Sequence, residues 1–208
     1  SLFLPIISKN HADIPSHFVS LNKEKITLDK NITVLGFPGS DIEEVKANLF
    51  NLNQKIYNKY GGFKDFQMVM ILPDGNQDKI QAIMLEFRRL SNDLKNWHFL
   101  FGKPEDIETY FNSFNFKNTL NDNSGTSLVY IIDKEKCLRG RKGQKINSKI
   151  EYRESYNTIS AAELHNEMSD DVKILLREYR LALKKNHRKD EFRDKIEQEV
   201  VKKESSKK

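Results

Sequence analysis

The most reactive side chain in the sequence is a single thiol. Cys137 lies among Lys134, Lys136, Arg139 and Arg141, and neighbouring cations lower a thiol's pKa and favour the nucleophilic thiolate. Cys137 is therefore the candidate reactive thiol, set against the plainer reading of a small buried side chain. One cysteine excludes an internal disulfide, a cysteine-based zinc site and a two-cysteine redox cycle within one chain. A second candidate is the turn Phe37-Pro38-Gly39-Ser40, followed by Asp41, Glu43 and Glu44. Backbone N–H groups at a helix start attract anions. Three acids in one turn oppose an anion and complement the helix dipole instead. Ser40 stands three residues before Glu43, the spacing of a capping box, so the expected role of Ser40 is to cap the helix. His11, His17, His98, His165 and His187 have no metal-ligand spacing. No Ser-His-Asp set, Walker loop or Gly-x-Gly-x-x-Gly run occurs. These residues point to no metal, no cofactor and no enzymatic reaction.

The elements that must position these residues are legible in the hydrophobic pattern. The run from Ile32 to Phe37 reads as a buried strand closed by Pro38-Gly39. Ile42, Val45, Leu49, Leu52 and Ile56 then form one helical stripe, stopped by Gly61-Gly62. The next unit repeats the theme: a strand from Phe66 to Leu72, the turn Pro73-Asp74-Gly75, and a helix carrying Ile80, Ile83, Met84, Phe87 and Leu90. Trp97-His98-Phe99-Leu100-Phe101 reads as a third buried strand. A helix with Pro104 near its first turn follows, its inward face being Ile107, Tyr110, Phe111 and Phe114. Residues 127–132 and 137–140 read as a closing hairpin.

Flanking segments carry weaker patterns. Phe18 to Leu21 and residues 25–28 read as a hairpin around Asn22-Lys23-Glu24. Ser1 to Ile7 reads either as the cut end of a membrane anchor or as a first strand; seven mostly apolar residues are too few for a span. Residues 141–149 read as a basic, flexible surface loop able to meet anionic lipid or an acidic partner. Val172, Leu175, Leu176, Tyr179 and Leu183 make a stripe on a C-terminal helix, which thins out beyond Asn186 into a solvated arm. The order, β-α-β-α-β-α and then a hairpin, is that of a thioredoxin-like α/β domain over residues 16–140. Residues 1–15 precede it, and residues 141–208 form a basic loop and helical extension.

Composition narrows the classes further. The chain has 208 residues, 38% hydrophobic and 31% charged, with 13 Phe, 7 Tyr and 1 Trp. That many aromatics build a core, which excludes general disorder. The whole net charge of +5 is carried by residues 171–208. Signs are mixed there, as in Lys184-Lys185 and Asp190-Glu191, which is the pattern of a solvated helix and not of a nucleic-acid surface. Electrostatic attraction to an anionic membrane is expected mainly in residues 184–208.

Four segments between Ile32 and Arg139 resemble the Sco/SenC family of thioredoxin-fold proteins. They are Val34-Leu35-Gly36-Phe37, Met70-Ile71-Leu72-Pro73-Asp74-Gly75-Asn76-Gln77-Asp78, Trp97-His98-Phe99-Leu100-Phe101-Gly102-Lys103-Pro104-Glu105 and Val129-Tyr130-Ile131-Ile132-Asp133-Lys134-Glu135. About half of the chain is covered, and the C-terminal helix from Ala161 also resembles that of Sco-like proteins. The resemblance implies a protein of the cell envelope, on the periplasmic face, tethered by an N-terminal anchor. It implies a place in cytochrome oxidase assembly. It also implies a Cys-x-x-x-Cys in the loop after the first core strand and a later His, which together hold copper as soft ligands. In this chain Ser40 and Glu44 stand at the two cysteine positions, and residues 121–126, where the His would fall, contain none. Ser and Glu cannot cycle between thiol and disulfide. The expectation is a redox-inactive binding or assembly module with a protein partner in a respiratory or envelope complex. The alternative is a copper metallochaperone with altered ligands.

Overall fold

A computed structural model describes residues 3–91 and 93–206. The strands are β1 (Ile6–Ser8), β2 (Val19–Ser20), β3 (Ile32–Pro38), β4 (Phe66–Pro73), β5 (Trp97–Gly102), β6 (Gly125–Ile132), β7 (Leu138–Arg139), β8 (Arg141–Ile146), β9 (Lys149–Arg153) and β10 (Tyr156–Asn157). The helices are α1 (Ile42–Leu52), α2 (Asn58–Tyr60), α3 (Gln77–Phe87), α4 (Pro104–Ser113), α5 (Ala161–Glu163) and α6 (Ser169–Ser206). A π-helical turn, Asn53–Tyr57, joins α1 to α2, and another, Leu164–Met168, joins α5 to α6. Two compact units result, residues 4–171 and residues 172–206 with Phe3.

The first unit is built on a mixed sheet in the order β1-β7-β6-β3-β4-β5-β2, with β10 beside β6. β3, β4 and β5 are parallel, while β6 returns antiparallel to β3. Every residue of β4 and all but the last of β3 are buried. Strands covered on both faces read as continuous apolar runs, which is why they were visible in the sequence. On one face Leu35, Phe37, Val69, Ile71 and Tyr130 pack with Ile107, Phe111 and Phe114 from and after α4. On the other, Trp97 meets Phe87 of α3 and Tyr57 of the π turn. The Trp97 Nε1 donates to Asn53 Oδ1 at 3.1 Å, so a fully buried amide is satisfied at the π turn.

The sheet extends beyond residues 16–140, since β1 and β10 are strands of it. Of the two readings of the first residues, Ile6–Ser8 is a strand, paired with β7. The hairpin expected around Asn22 does not form. Val19–Ser20 pairs antiparallel with Phe101 and Leu100 instead, and residues 25–28 are not a strand. Leu28 N–H is held by Asp13 Oδ1 at 2.6 Å. Residues 141–149 are not a flexible loop either. Arg141–Ile146 and Lys149–Arg153 form a separate two-stranded hairpin, whose turn residues Asn147 and Ser148 take φ of 50° and 65°, as a type I′ turn demands.

The second unit is the greater part of α6. Leu181, Leu183, Phe192, Ile196, Val200 and Val201 are exposed along it. Of the expected stripe, Val172 and Leu175 are buried and Leu183 is exposed. No described helix is long and apolar enough to cross a membrane.

Candidate functional site

The loop between β3 and α1 lies at the carboxyl ends of the parallel strands, where open α/β sheets place their ligands. Its shape is set by backbone. Gly39 has φ +84°, and a Cβ there would stand 2.8 Å from Gly125 Cα. A Cβ on Gly125 would stand 2.6 Å from Gly39 Cα and 2.7 Å from Pro38 O. The two glycines thus let two chain segments touch without side chains. Ser40 N–H donates to Asn123 O at 3.2 Å. Asn121 Oδ1 accepts from Asn123 N–H and Gly125 N–H at 2.9 and 3.1 Å, an Asx-type turn that organises residues 121–125.

Ser40 does not cap the helix. Asp41 occupies the cap position, its carbonyl accepts from Val45 N–H at 2.9 Å, and no side-chain cap bond is made. The exposed carboxylates Glu43 and Glu44 stand in the first turn, where the dipole favours them, with Asp41 at the cap before them. Beside the loop runs an open groove of about 320 Å³, with Pro38, Glu44, Asn48, Asn121, Thr126 and Ile159 on its walls. Glu44 is the only ionisable residue lining it among the described residues. The structure therefore brings Pro38, Gly39, Ser40 and Glu44 beside residues 121–126, and Phe37 lies beneath them in the core. No group of three or more His, Cys, Asp or Glu able to hold a metal occurs among the described residues.

Cys137 is elsewhere. β6 pairs Gly125 with Pro38 at one end and Ile132 with Thr33 at the other. The turn after Ile132, which leads to Cys137, therefore lies at the opposite end of the sheet from Ser40. Cys137 is buried, 8% exposed, and its Sγ donates to Glu135 O at 3.9 Å. Burial and the Asp133 carboxylate push the thiol's pKa up, and the Arg139 guanidinium offsets this only in part. The lysines near it in sequence do not activate it, and the expected thiolate character is corrected to that of a buried thiol. The residue that organises this turn is Asp133. Its Oδ1 accepts from Glu135 and Cys137 N–H, each at 2.9 Å, and its Oδ2 from Arg139 Nε at 2.7 Å. Arg139 also donates to Leu4 O at 2.7 Å.

A second charged network was not anticipated from the sequence. Asp171, 2% exposed, accepts from Tyr156 Oη at 2.6 Å and lies 3.3 Å from Arg141 Nε. Arg153 bonds Glu167 and, at 2.9 Å, Glu163, while Ser160 Oγ accepts from Glu163 N–H at 3.1 Å. Burial alone would raise the Glu167 carboxyl, yet hydrogen bonds and charge from Arg153 and Arg141 hold it below the usual range. For Asp171, burial wins and raises it against the Tyr156 hydrogen bond and Arg141. The one signal available in sequence was the spacing Ser160-Ala161-Ala162-Glu163, a capping box.

Fold and loop together define a thioredoxin-like α/β domain with a thiol-free loop at its usual functional end. No protein-family model matches the sequence, and no curated protein matches it. Among solved structures it is similar to a SCO1/SenC family lipoprotein from Bacillus anthracis, with 18% identity and a TM-score of 0.57 over 82% of this chain and 97% of that one. It is also similar to BsSco, a member of the Sco family of cytochrome c oxidase assembly proteins, with 12% identity and a TM-score of 0.56 over 85% and 99% of the two chains. The fold is that of the Sco/SenC structures.

Proposed function

We propose that the protein is a redox-inactive, non-enzymatic Sco-like module of the cell envelope that acts by binding a partner in assembly. The observation that carries this reading is the pairing of two facts at one sheet. The loop after β3 is closed by backbone, with Gly39 against Gly125, while Ser40 and Glu44 stand where the resemblance to the Sco/SenC family calls for thiols. The one thiol lies at the far end of β6 and is buried. Copper(I) prefers soft sulfur ligands, and a serine hydroxyl and a hard carboxylate are poor substitutes. An envelope location is supported by the relative described as a lipoprotein.

The test is a competition titration of the purified chain against a chromophoric Cu(I) chelator, repeated on Cys137→Ser. The reading expects no stoichiometric Cu(I) retention by either. Tight binding that survives Cys137→Ser would overturn it in favour of a copper metallochaperone with altered ligands.

A further inference from the structure

The hairpin β8–β9 has a composition and geometry that the Sco-type loop does not use. Between Arg141 and Arg153 stand five basic residues, Arg141, Lys142, Lys145, Lys149 and Arg153, against one acid, Glu151. The two arginines are engaged at the base of the ribbon, by Glu163, Glu167 and Asp171. Lys142, Lys145 and Lys149 are exposed and make no ion pair among the described residues. Three large apolar side chains share this stretch in the open: Ile146 is 51%, Ile150 39% and Tyr152 40% exposed.

Register fixes how they are arranged. Ile146 pairs with Lys149 and Ile150 with Lys145. Each of the two rungs nearest the turn therefore couples one isoleucine to one lysine. Adjacent rungs point to opposite faces of a ribbon, so Ile146 and Ile150 lie on opposite faces of the tip. A flat protein partner would cover one face and leave the other isoleucine in water. A fluid headgroup layer surrounds the tip and accepts both. Insertion by a few ångströms is enough to bury the isoleucines, and lysine stems of this length keep their ammonium groups at the level of the phosphates. Tyr152, two residues behind Ile150 and paired with Lys142 beyond the register shift, sits at the depth where a ring with a polar tip is favoured.

We propose that the tip of the β8–β9 hairpin is a docking site for an anionic phospholipid bilayer, entered end-on by Ile146 and Ile150 and held by Lys142, Lys145 and Lys149. This moves the membrane contact from residues 184–208, where the signs are mixed, to a short ribbon in which cations dominate and apolar groups accompany them.

The experiment is vesicle co-sedimentation of the full chain at physiological salt. Vesicles of phosphatidylcholine with 30% phosphatidylglycerol are compared with phosphatidylcholine alone. Wild-type chain is expected to sediment with the anionic vesicles only, and less at high salt. Lys145→Glu with Lys149→Glu should lower partitioning by about ten-fold or more, given the attraction of each lysine to an anionic surface. Ile146→Ser with Ile150→Ser should lower it at unchanged charge. All four positions are exposed, and a thermal melt shows whether each variant is folded. Ile146→Trp adds a second readout: its emission should shift to the blue only with anionic vesicles. Absence of wild-type binding would overturn the proposal. So would binding that the hairpin variants leave unchanged, which would return the contact to α6. Hairpin-dependent binding to polyglutamate with none to vesicles would also overturn it and assign an acidic protein instead.

Discussion

The two ends of the β3–β6 pair are built on opposite principles. At the Pro38–Gly125 end, backbone meets backbone across two glycines. At the other end, Asp133, 1% exposed, and Arg139, 6% exposed, form a buried ion pair that also holds two N–H groups and a carbonyl. The end at the carboxyl termini of the parallel strands is shaped by glycine contacts. The end that carries the charges and the only thiol uses them to close a turn. The buried ion pair Asp133–Arg139 is therefore architectural.

Asp133→Ala should have the largest effect. It removes the buried carboxylate that holds Arg139 Nε and two backbone N–H groups, and breaking a buried pair costs about 3–5 kcal/mol. Urea denaturation should show this as a lowered midpoint at an unchanged slope; a loss below about 1 kcal/mol would mean that the pair is not structural. Gly125→Ala attacks the opposite end. Its Cβ would fall 2.6 Å from Gly39 Cα, and forced backbone displacement in a packed site costs about 1–3 kcal/mol. A neutral result would show that the two segments are not in contact.

The network around Arg153 provides a pH-dependent test. Glu167 has a lowered folded-state pKa. Its contribution is therefore present above its unfolded-state value and is lost as pH falls through the lowered folded-state value. Wild type should exceed Glu167→Gln in stability at pH 7, and the gap should close at acid pH. A gap independent of pH would remove the ion pair as its cause. The raised pKa of Cys137 has the opposite sense. Native protein should react with iodoacetamide more slowly at pH 8 than the unfolded chain. Equal rates would restore Cys137 as an accessible thiol. Ser40→Ala should be the smallest change, within about 0.5 kcal/mol, because the hydroxyl makes no cap bond. A larger loss would give that hydroxyl a task the geometry does not.

Legibility in the sequence followed burial. β3, β4 and β5 announce themselves because both their faces are covered, and α1, α3 and α4 because one face is. The pairing of β2 was hidden, since two residues cannot encode a partner and Val19-Ser20 suits either neighbour. β8 and β9 were hidden because their pattern is basic and exposed, and Asn147-Ser148 is a weaker turn signal than Asn-Gly. The cap was misplaced by one residue because Ser40 and Asp41 are both capping types. The Gly39–Gly125 contact was hidden, because a glycine in sequence does not say what approaches it. The Asp133 and Asp171 networks depend on long-range packing that local spacing does not contain.

On the proposed reading, the loop after β3 lacks copper chemistry because Ser40 and Glu44 stand where the resemblance calls for thiols. The most direct measurement is to install the thiols and titrate Cu(I) against a chelator. Ser40→Cys with Glu44→Cys, made in the Cys137→Ser background, should fold and retain about one Cu(I) per chain, while Cys137→Ser alone retains none. Retention by Cys137→Ser alone, or a folded double-cysteine chain that still binds no Cu(I), would contradict the account.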